Sequence, residues 1–567
     1  MSEHTLHRDL SEYARRRQKD GPYAEDLEVD TLVVGGGFGG TYLLYELRKA
    51  GFKTVVYEAG EGFGGTWRFN SYPVTAVGSR VDSETPIYQF AIPEVYKTWT
   101  WSTNYPDYRE IQAYFDHLDK VCDLSKDTAF NTVVTSAEFD SGTGKWTVGT
   151  ADGRTARTKY LIIAAGFASK RFIPDYPGVD KFRGQIHHSS FWPAGGIEPA
   201  GKRVAVVGTG ASGIQIIQEW APKVEQLVVF QRTPNLTLPM GKRDMTKEQQ
   251  ECLYPVYDEL MRLRETTFAG FIYDFVERGT FEDNPEEREA LYEQLWQKAG
   301  FNIWLGNYKD SLFDPAANRL VYDFWRRKQS ARIKDPRKRE LLCPLEPPHP
   351  FGVKRPCLEQ NFYEVVDQDN VVLIDISERS NNKIVEFTET GIRTSDGKHY
   401  EVDIIVLATG FDVGTGGITN MGLKSIHGTT LRDEWSNGAY TYLGTTIAGY
   451  PNLFSIYGPH GPTLLANGPT CVEVQGRWIR DAIKLAEKEG FKYFNPTHEA
   501  SKKWKSHVIE LSDASLISKT RSTYMGGSIP GKPMEPISYA GGVPAYVKEI
   551  RAVLPGWIGF ETVKNLK

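Results

Sequence analysis

Cysteine is scarce in this 567-residue chain: five residues (Cys122, Cys252, Cys343, Cys357, Cys471), scattered, odd in number and without a C-x-x-C pair. That argues for a reducing compartment, against a disulfide framework and against a thiol-based flavin disulfide reductase. Apolar runs are short. None reaches the roughly 18 residues of a transmembrane helix, and the stretch MSEHTLHRDLSEYARRRQKD is too polar for a secretory signal. The 11 histidines are scattered with no zinc-ligand spacing, so no metal is expected. A net charge of −5 gives no pull toward nucleic acid or an anionic membrane. These absences point to a cytoplasmic protein whose partners are small molecules.

Glycine, by contrast, is placed with purpose. Asp30-Thr-Leu-Val-Val34 is an apolar run suited to a buried parallel strand, and Gly35-Gly-Gly37-Phe-Gly-Gly40 follows it. Helical spacing then runs from Tyr42 until Gly51 stops it, and Lys53-Thr-Val-Val-Tyr57 forms a second strand ending at Glu58. The same unit recurs from Arg203, through Gly208-Thr-Gly210-Ala-Ser212-Gly213, to a strand ending at Arg232-Thr233. One G-x-G-x-x-G loop is weak evidence. Two, each between a strand and a helix, imply two dinucleotides that exchange electrons.

The two strand ends differ in charge. Glu58 can accept the hydroxyls of a ribose; its other reading is a solvated strand end. Arg232 suits a 2′-phosphate, which a carboxylate would repel, so NADPH is preferred to NADH; its other reading is an ordinary surface arginine. Residues 159–166 and 403–410 are apolar runs closing on a small residue and glycine, the second continuing as Phe411-Asp412. Between about 240 and 335 the spacing is helical and rich in Glu, Arg and Leu, and a proline cluster at Pro344, Pro347, Pro348 and Pro350 marks a return to loop.

Phe182, Gly184, His188, Trp192 and Pro193, between the two loops, spell F-x-G-x-x-x-H-x-x-x-W-P. This resembles the fingerprint of type I Baeyer–Villiger monooxygenases, the class B flavoprotein monooxygenases. The resemblance implies an α/β fold of two Rossmann-like domains. The FAD domain is expected to be discontinuous (1–170 and 391–567), the NADP domain to cover 171–239 and 336–390, and a helical insertion to fill 240–335. In this reading the crossing strand near residue 404 returns the chain to the FAD domain. FAD falls to Gly35, Gly37, Gly40, Glu58 and the Gly65-Thr66-Trp67 turn. NADP(H) falls to Gly208, Gly210, Ser212, Gly213, Arg232 and Thr233, with Lys354 as a second cation on the phosphate.

The implied reaction converts a ketone, O2 and NADPH into an ester or lactone through a flavin C4a-peroxide. Arg355, in Pro350-Phe-Gly-Val-Lys-Arg355, would keep that adduct anionic and stabilise the oxyanion it forms. Asp82, in Arg80-Val-Asp82-Ser-Glu, would orient the arginine; its other reading is a turn-capping aspartate. Here the match departs from the family, since Val74 replaces a glycine and about four extra residues separate Pro73 from Arg80. Thr463, Leu464 and Leu465 fall where relatives line the substrate pocket. Thr523 stands where tryptophan is expected beside the nicotinamide. The His188–Trp192 pair is expected to be a hydrogen-bonded packing element governing domain movement rather than a proton carrier. Two rivals remain: a flavin monooxygenase of amines or sulfides, and a nucleotide-binding protein without turnover.

Overall fold

The computed structural model describes residues 6, 8–16, 26–72, 78–526 and 529–565. The altered loop after Tyr72 therefore lies largely outside the described residues, Pro73 and Val74 included. An eight-stranded sheet has Leu27–Val34 at its centre, parallel to Thr54–Tyr57 on one side and Thr155–Ile163 on the other. Val134–Asp140 and Lys145–Thr150 extend it in antiparallel fashion. The second sheet is all parallel, in the order Val371–Asp375, Gln226–Gln231, Arg203–Val207, Ile404–Leu407, Gln185–His188. The central strands are buried residue after residue because both faces are covered, in the second sheet by the helix Ala211–Trp220 on one side and the antiparallel ribbon of residues 384–401 on the other, which is why they read as unbroken apolar runs.

The first domain is discontinuous, but the strand that closes it is not the expected one. Ile404–Leu407 hydrogen-bonds between Arg203–Val207 and Gln185–His188, inside the second sheet. The strand that returns to the first sheet is Leu453–Ser455, parallel to Thr155–Ile163. Residues 391–407 thus belong with the second sheet and a small antiparallel ribbon beside it. The sequence pattern alone cannot separate these options, since any strand buried on both faces carries the same apolar signature.

Each crossing meets its own glycine loop. A Cβ on Gly35 (φ 114°) would lie 2.4 Å from the carbonyl oxygen of Ala164, and one on Gly208 (φ 108°) 2.5 Å from that of Ala408. Both positions need glycine, for conformation and for space.

The stretch 240–335 is helical, with Tyr257–Leu263, Pro285–Lys298 and Pro315–Ser330 its main helices, and a further helix at Pro336–Leu342. It packs on the first domain as well as the second. Arg264 and Glu473 form a fully buried ion pair at 2.6 Å, and Arg264 also donates to the carbonyls of Ile87 and Gln89. Among the described residues no helix is long and apolar enough to cross a membrane, no metal-binding cluster forms, and all five cysteines are free.

Candidate active site

Arg355 and Asp82 are 273 residues apart in sequence and meet in a two-point ion pair: Nε donates to Oδ2 at 2.6 Å and Nη2 to Oδ1 at 2.8 Å. Asp82 therefore does more than cap a turn. Arg355 Nη1 also donates to the Leu464 carbonyl at 3.3 Å. The guanidinium carbon lies 4.8 Å from the Phe301 ring centre and 5.9 Å from that of Trp304, both delivered by the helical stretch. Burial opposes the charge, but Asp82, by its own charge and its hydrogen bonds, more than restores it, so Arg355 stays protonated.

Asp82 is fixed from two residues away. Arg80 donates to Gln360 Oε1 at 2.6 Å and pairs with Glu219 at 3.2 Å, and its backbone N–H donates to Gln215 Oε1. All three partners sit on the second domain's side, so the loop carrying Asp82 is clamped across the domain junction. Four tyrosines add to the electrostatic surroundings of Arg355: Tyr88, Tyr273, Tyr457 and Tyr524.

At the second strand end, Lys354 and Arg232 stand close enough to repel. Burial, and after it the charge of Arg232, lowers the Lys354 ammonium to about 8. Lys354 in turn adds to the burial that takes His349 down to about 4. Among the described residues no carboxylate pairs with Lys354 or Arg232. Such a cluster is complete only with an anion.

These arrangements match proteins of known activity. Residues 29–254 fit the family model described as pyridine nucleotide-disulphide oxidoreductase. The chain is 53% identical over 559 residues to the FAD-binding monooxygenase acrE of Aspergillus aculeatus, covering 99% of this chain and 93% of the relative. It is 40% identical to the cyclopentanone 1,2-monooxygenase of Comamonas sp., over 94% and 96% of the two chains. Identity to the Baeyer-Villiger monooxygenase of Pseudooceanicola batsensis is 35%, over 93% and 94%. A solved structure of oxidized steroid monooxygenase bound to NADP matches with a TM-score of 0.88 at 36% identity, covering 95% of this chain and 100% of that one. The chain belongs to the Baeyer–Villiger monooxygenases.

As in other Baeyer–Villiger monooxygenases, two dinucleotides need places, and the residues present fit them. Gly37 and Gly210 begin the helices Phe38–Lys49 and Ala211–Trp220 with no side chain capping either, leaving N–H donors for a pyrophosphate. Gly65 approaches Gly37 so closely that a Cβ on it would lie 3.0 Å from the Gly37 Cα, so bare backbone faces the first loop. Glu58 is buried, not solvated: the N–H groups of Gly36 and Gly60 donate to its carboxylate, the latter at 2.6 Å. Burial pushes its carboxyl up against the pull of those two donors. Trp67 donates through Nε1 to the Tyr88 hydroxyl at 3.1 Å, and Thr66 Oγ1 accepts from Asn70. Thr209 donates to the Thr233 carbonyl at 3.0 Å, tying the second loop to its strand end. Ser212 hydrogen-bonds Tyr72.

The fingerprint residues take separate tasks. His188 Nε2 faces the Gly410 carbonyl at 3.2 Å while Nδ1 accepts from the Ser190 N–H at 3.0 Å; burial lowers it to about 4, so it is neutral. Trp192 lies on the other side, against Trp220, Tyr72 and His187, and its buried indole N–H has no hydrogen-bond partner among the described residues. His187 and His188 face opposite ways because neighbours on a strand alternate. The expected His188–Trp192 pair is thus two anchors: His188 a hydrogen-bonded one, Trp192 a stacked one. Phe182 is buried in the second core, and a Cβ on Gly184 would lie 2.3 Å from the Asp403 carbonyl oxygen. Pro193 is buried next to Trp192.

Thr463, Leu464 and Leu465 are all buried, and the Leu464 carbonyl accepts from Arg355. Thr523 is exposed, whereas its neighbour Tyr524 turns inward. Sequence reasoning missed Tyr524, Tyr457, Phe301 and Trp304. The aromatic pair had a weak signal in the density of rings at 301–308, while the tyrosines had none.

Proposed function

We propose that this monooxygenase, carrying FAD and using NADPH, inserts one atom of O2 beside the carbonyl of a ketone. Ketone, O2, NADPH and a proton give ester or lactone, NADP+ and water. The observation that carries the reading is the charged Arg355, held two-point by Asp82 within a wall of aromatic rings. FAD supplies hydride acceptance from NADPH and the activation of oxygen. Arg355 holds positive charge where negative charge develops on oxygen, and needs no reorganisation to do so. Phe301 and Trp304 pack their rings against the guanidinium. Lys354 and Arg232 bind the 2′-phosphate and thereby select NADPH. Five free thiols support a reducing, cytoplasmic setting.

The test is a ketone panel beginning with cyclopentanone, read as product mass for one added oxygen, with a tertiary amine as the competing substrate. Arg355→Ala is expected to lower ester formation by about 100-fold or more while NADPH oxidation continues and hydrogen peroxide is released. Unchanged ester yield, or oxygenation of the amine alone, overturns the proposal.

A further inference from the structure

Of the four tyrosines around Arg355, three have their polar groups engaged. Tyr88 accepts from the Trp67 indole, Tyr457 donates to the Thr463 carbonyl at 2.8 Å, and Tyr273 interacts with the backbone of Phe301. Tyr524 differs. Its side chain is 2% exposed and its hydroxyl has no hydrogen-bond partner among the described residues. A buried phenol with an unmade hydrogen bond is costly, and its retention needs a reason.

The backbone holds this phenol in place. The Tyr524 carbonyl accepts from the Ile537 N–H at 2.9 Å, and the next residue, Ser538, accepts through Oγ from the Leu464 N–H at 3.3 Å. Leu464 is the residue whose carbonyl binds Arg355. Tyr524 and Arg355 thus share one supporting strip, and the phenol lies within the electrostatic reach of Arg355, Asp82 and Cys357. The short helical turn Thr523–Met525 turns Thr523 outward and Tyr524 inward. Both Asp82 oxygens already accept from Arg355, and among the described residues none accepts from the Tyr524 hydroxyl.

We propose that the Tyr524 hydroxyl donates a hydrogen bond to the ketone's carbonyl oxygen, orienting it beside Arg355. The inference rests on the ketone reading above. Burial keeps the phenol protonated, so it acts as a neutral donor and no proton is transferred. A neutral donor next to a guanidinium fixes direction where charge alone would not. A carbonyl oxygen has two lone pairs, one for each donor.

The experiment uses the full-length enzyme loaded with FAD and NADP+, with carbonyl-labelled 13C-cyclopentanone as probe and infrared difference spectroscopy as readout. In the parent the C=O band lies at lower wavenumber than in Tyr524→Phe, because one hydrogen bond to the oxygen is lost. The same variant is expected to keep its FAD and its rate of flavin reduction by NADPH, while kcat/KM for the ketone falls by about tenfold or more and hydrogen peroxide release rises. Should Tyr524→Phe fail to hold FAD, 3-fluorotyrosine at position 524 replaces it: the stronger donor moves the band lower still. An unmoved band in whichever variant holds FAD overturns the inference. A parent that oxygenates ketones alongside an unmoved band sinks this inference only, whereas a parent that oxygenates no ketone sinks the functional reading beneath it.

Discussion

At the scale of single residues, charge placed without its complement is the most informative feature. Lys354, with an ordinary value of 10.5, is brought to about 8 by burial and by Arg232, so its charge is held at a cost until an anion arrives. If Lys354 holds the 2′-phosphate as proposed, its charged form is the one that binds, so NADPH affinity is expected to hold from pH 6.5 to 8. Above it, KM for NADPH rises by up to about tenfold per pH unit. Initial rates across pH 6.5–9.5 check this, and Lys354→Ala flattens the profile while narrowing the preference for NADPH over NADH. Asp82→Asn leaves Arg355 half-buried and without its counter-charge; ketone turnover is expected to fall about tenfold to a hundredfold, with NADPH oxidation diverted to hydrogen peroxide. Arg355 and Asp82 were legible because short motifs carry them. Tyr524 was not, since a hydroxyl's missing partner exists only in three dimensions.

Elements repeat a single solution. In each nucleotide unit the last glycine of the loop sits under the first: a Cβ on Gly40 would lie 1.7 Å from the Gly35 carbonyl oxygen, and one on Gly213 2.1 Å from that of Gly208. Neither backbone atom can yield without moving a strand. Gly213→Ala is therefore expected to give a yellow protein whose flavin NADPH no longer reduces, whereas Gly40→Ala loses the yellow colour itself. Absorbance spectra of the purified variants, before and after NADPH, separate the two. The strand–turn–helix units were readable because glycine, apolar runs and helical spacing are local signals. The destination of Ile404–Leu407 was not, because sheet partners are chosen by long-range packing that apolar composition does not encode. His188 and Trp192 show the same limit on a smaller scale: the fingerprint names both, yet strand alternation sends His187, not His188, toward the indole.

For the whole molecule, buried ionisable groups decide how stability follows pH. His188, His349 and His460 are buried, and burial lowers them to about 4, 4 and 3 from an ordinary 6.5. Each binds its proton more readily unfolded than folded. Their cost is therefore absent above pH 6.5 and grows as pH falls toward 4, by roughly 3 kcal/mol for a shift of this size. The urea midpoint is expected to drop steadily across that window, and His188→Gln to reduce the slope. The ion pair of Arg264 and Glu473 bonds the helical stretch to the first domain. Glu473→Gln strands a guanidinium in the interior and is expected to cost about 3–5 kcal/mol in denaturant titrations.

Asp82 and Arg355 come from different domains, and Arg80 clips the loop of the first to Glu219 and Gln360 of the second. The Arg355–Asp82 ion pair is therefore assembled by domain docking rather than within either domain. On the proposed role of Arg355, a rotation that parts the two domains separates it from Asp82 and is expected to stop ketone oxygenation. A chimera that borrows the coenzyme-selecting half from a relative must import the contacts of Arg80 with it, or it will bind both nucleotides and oxygenate nothing.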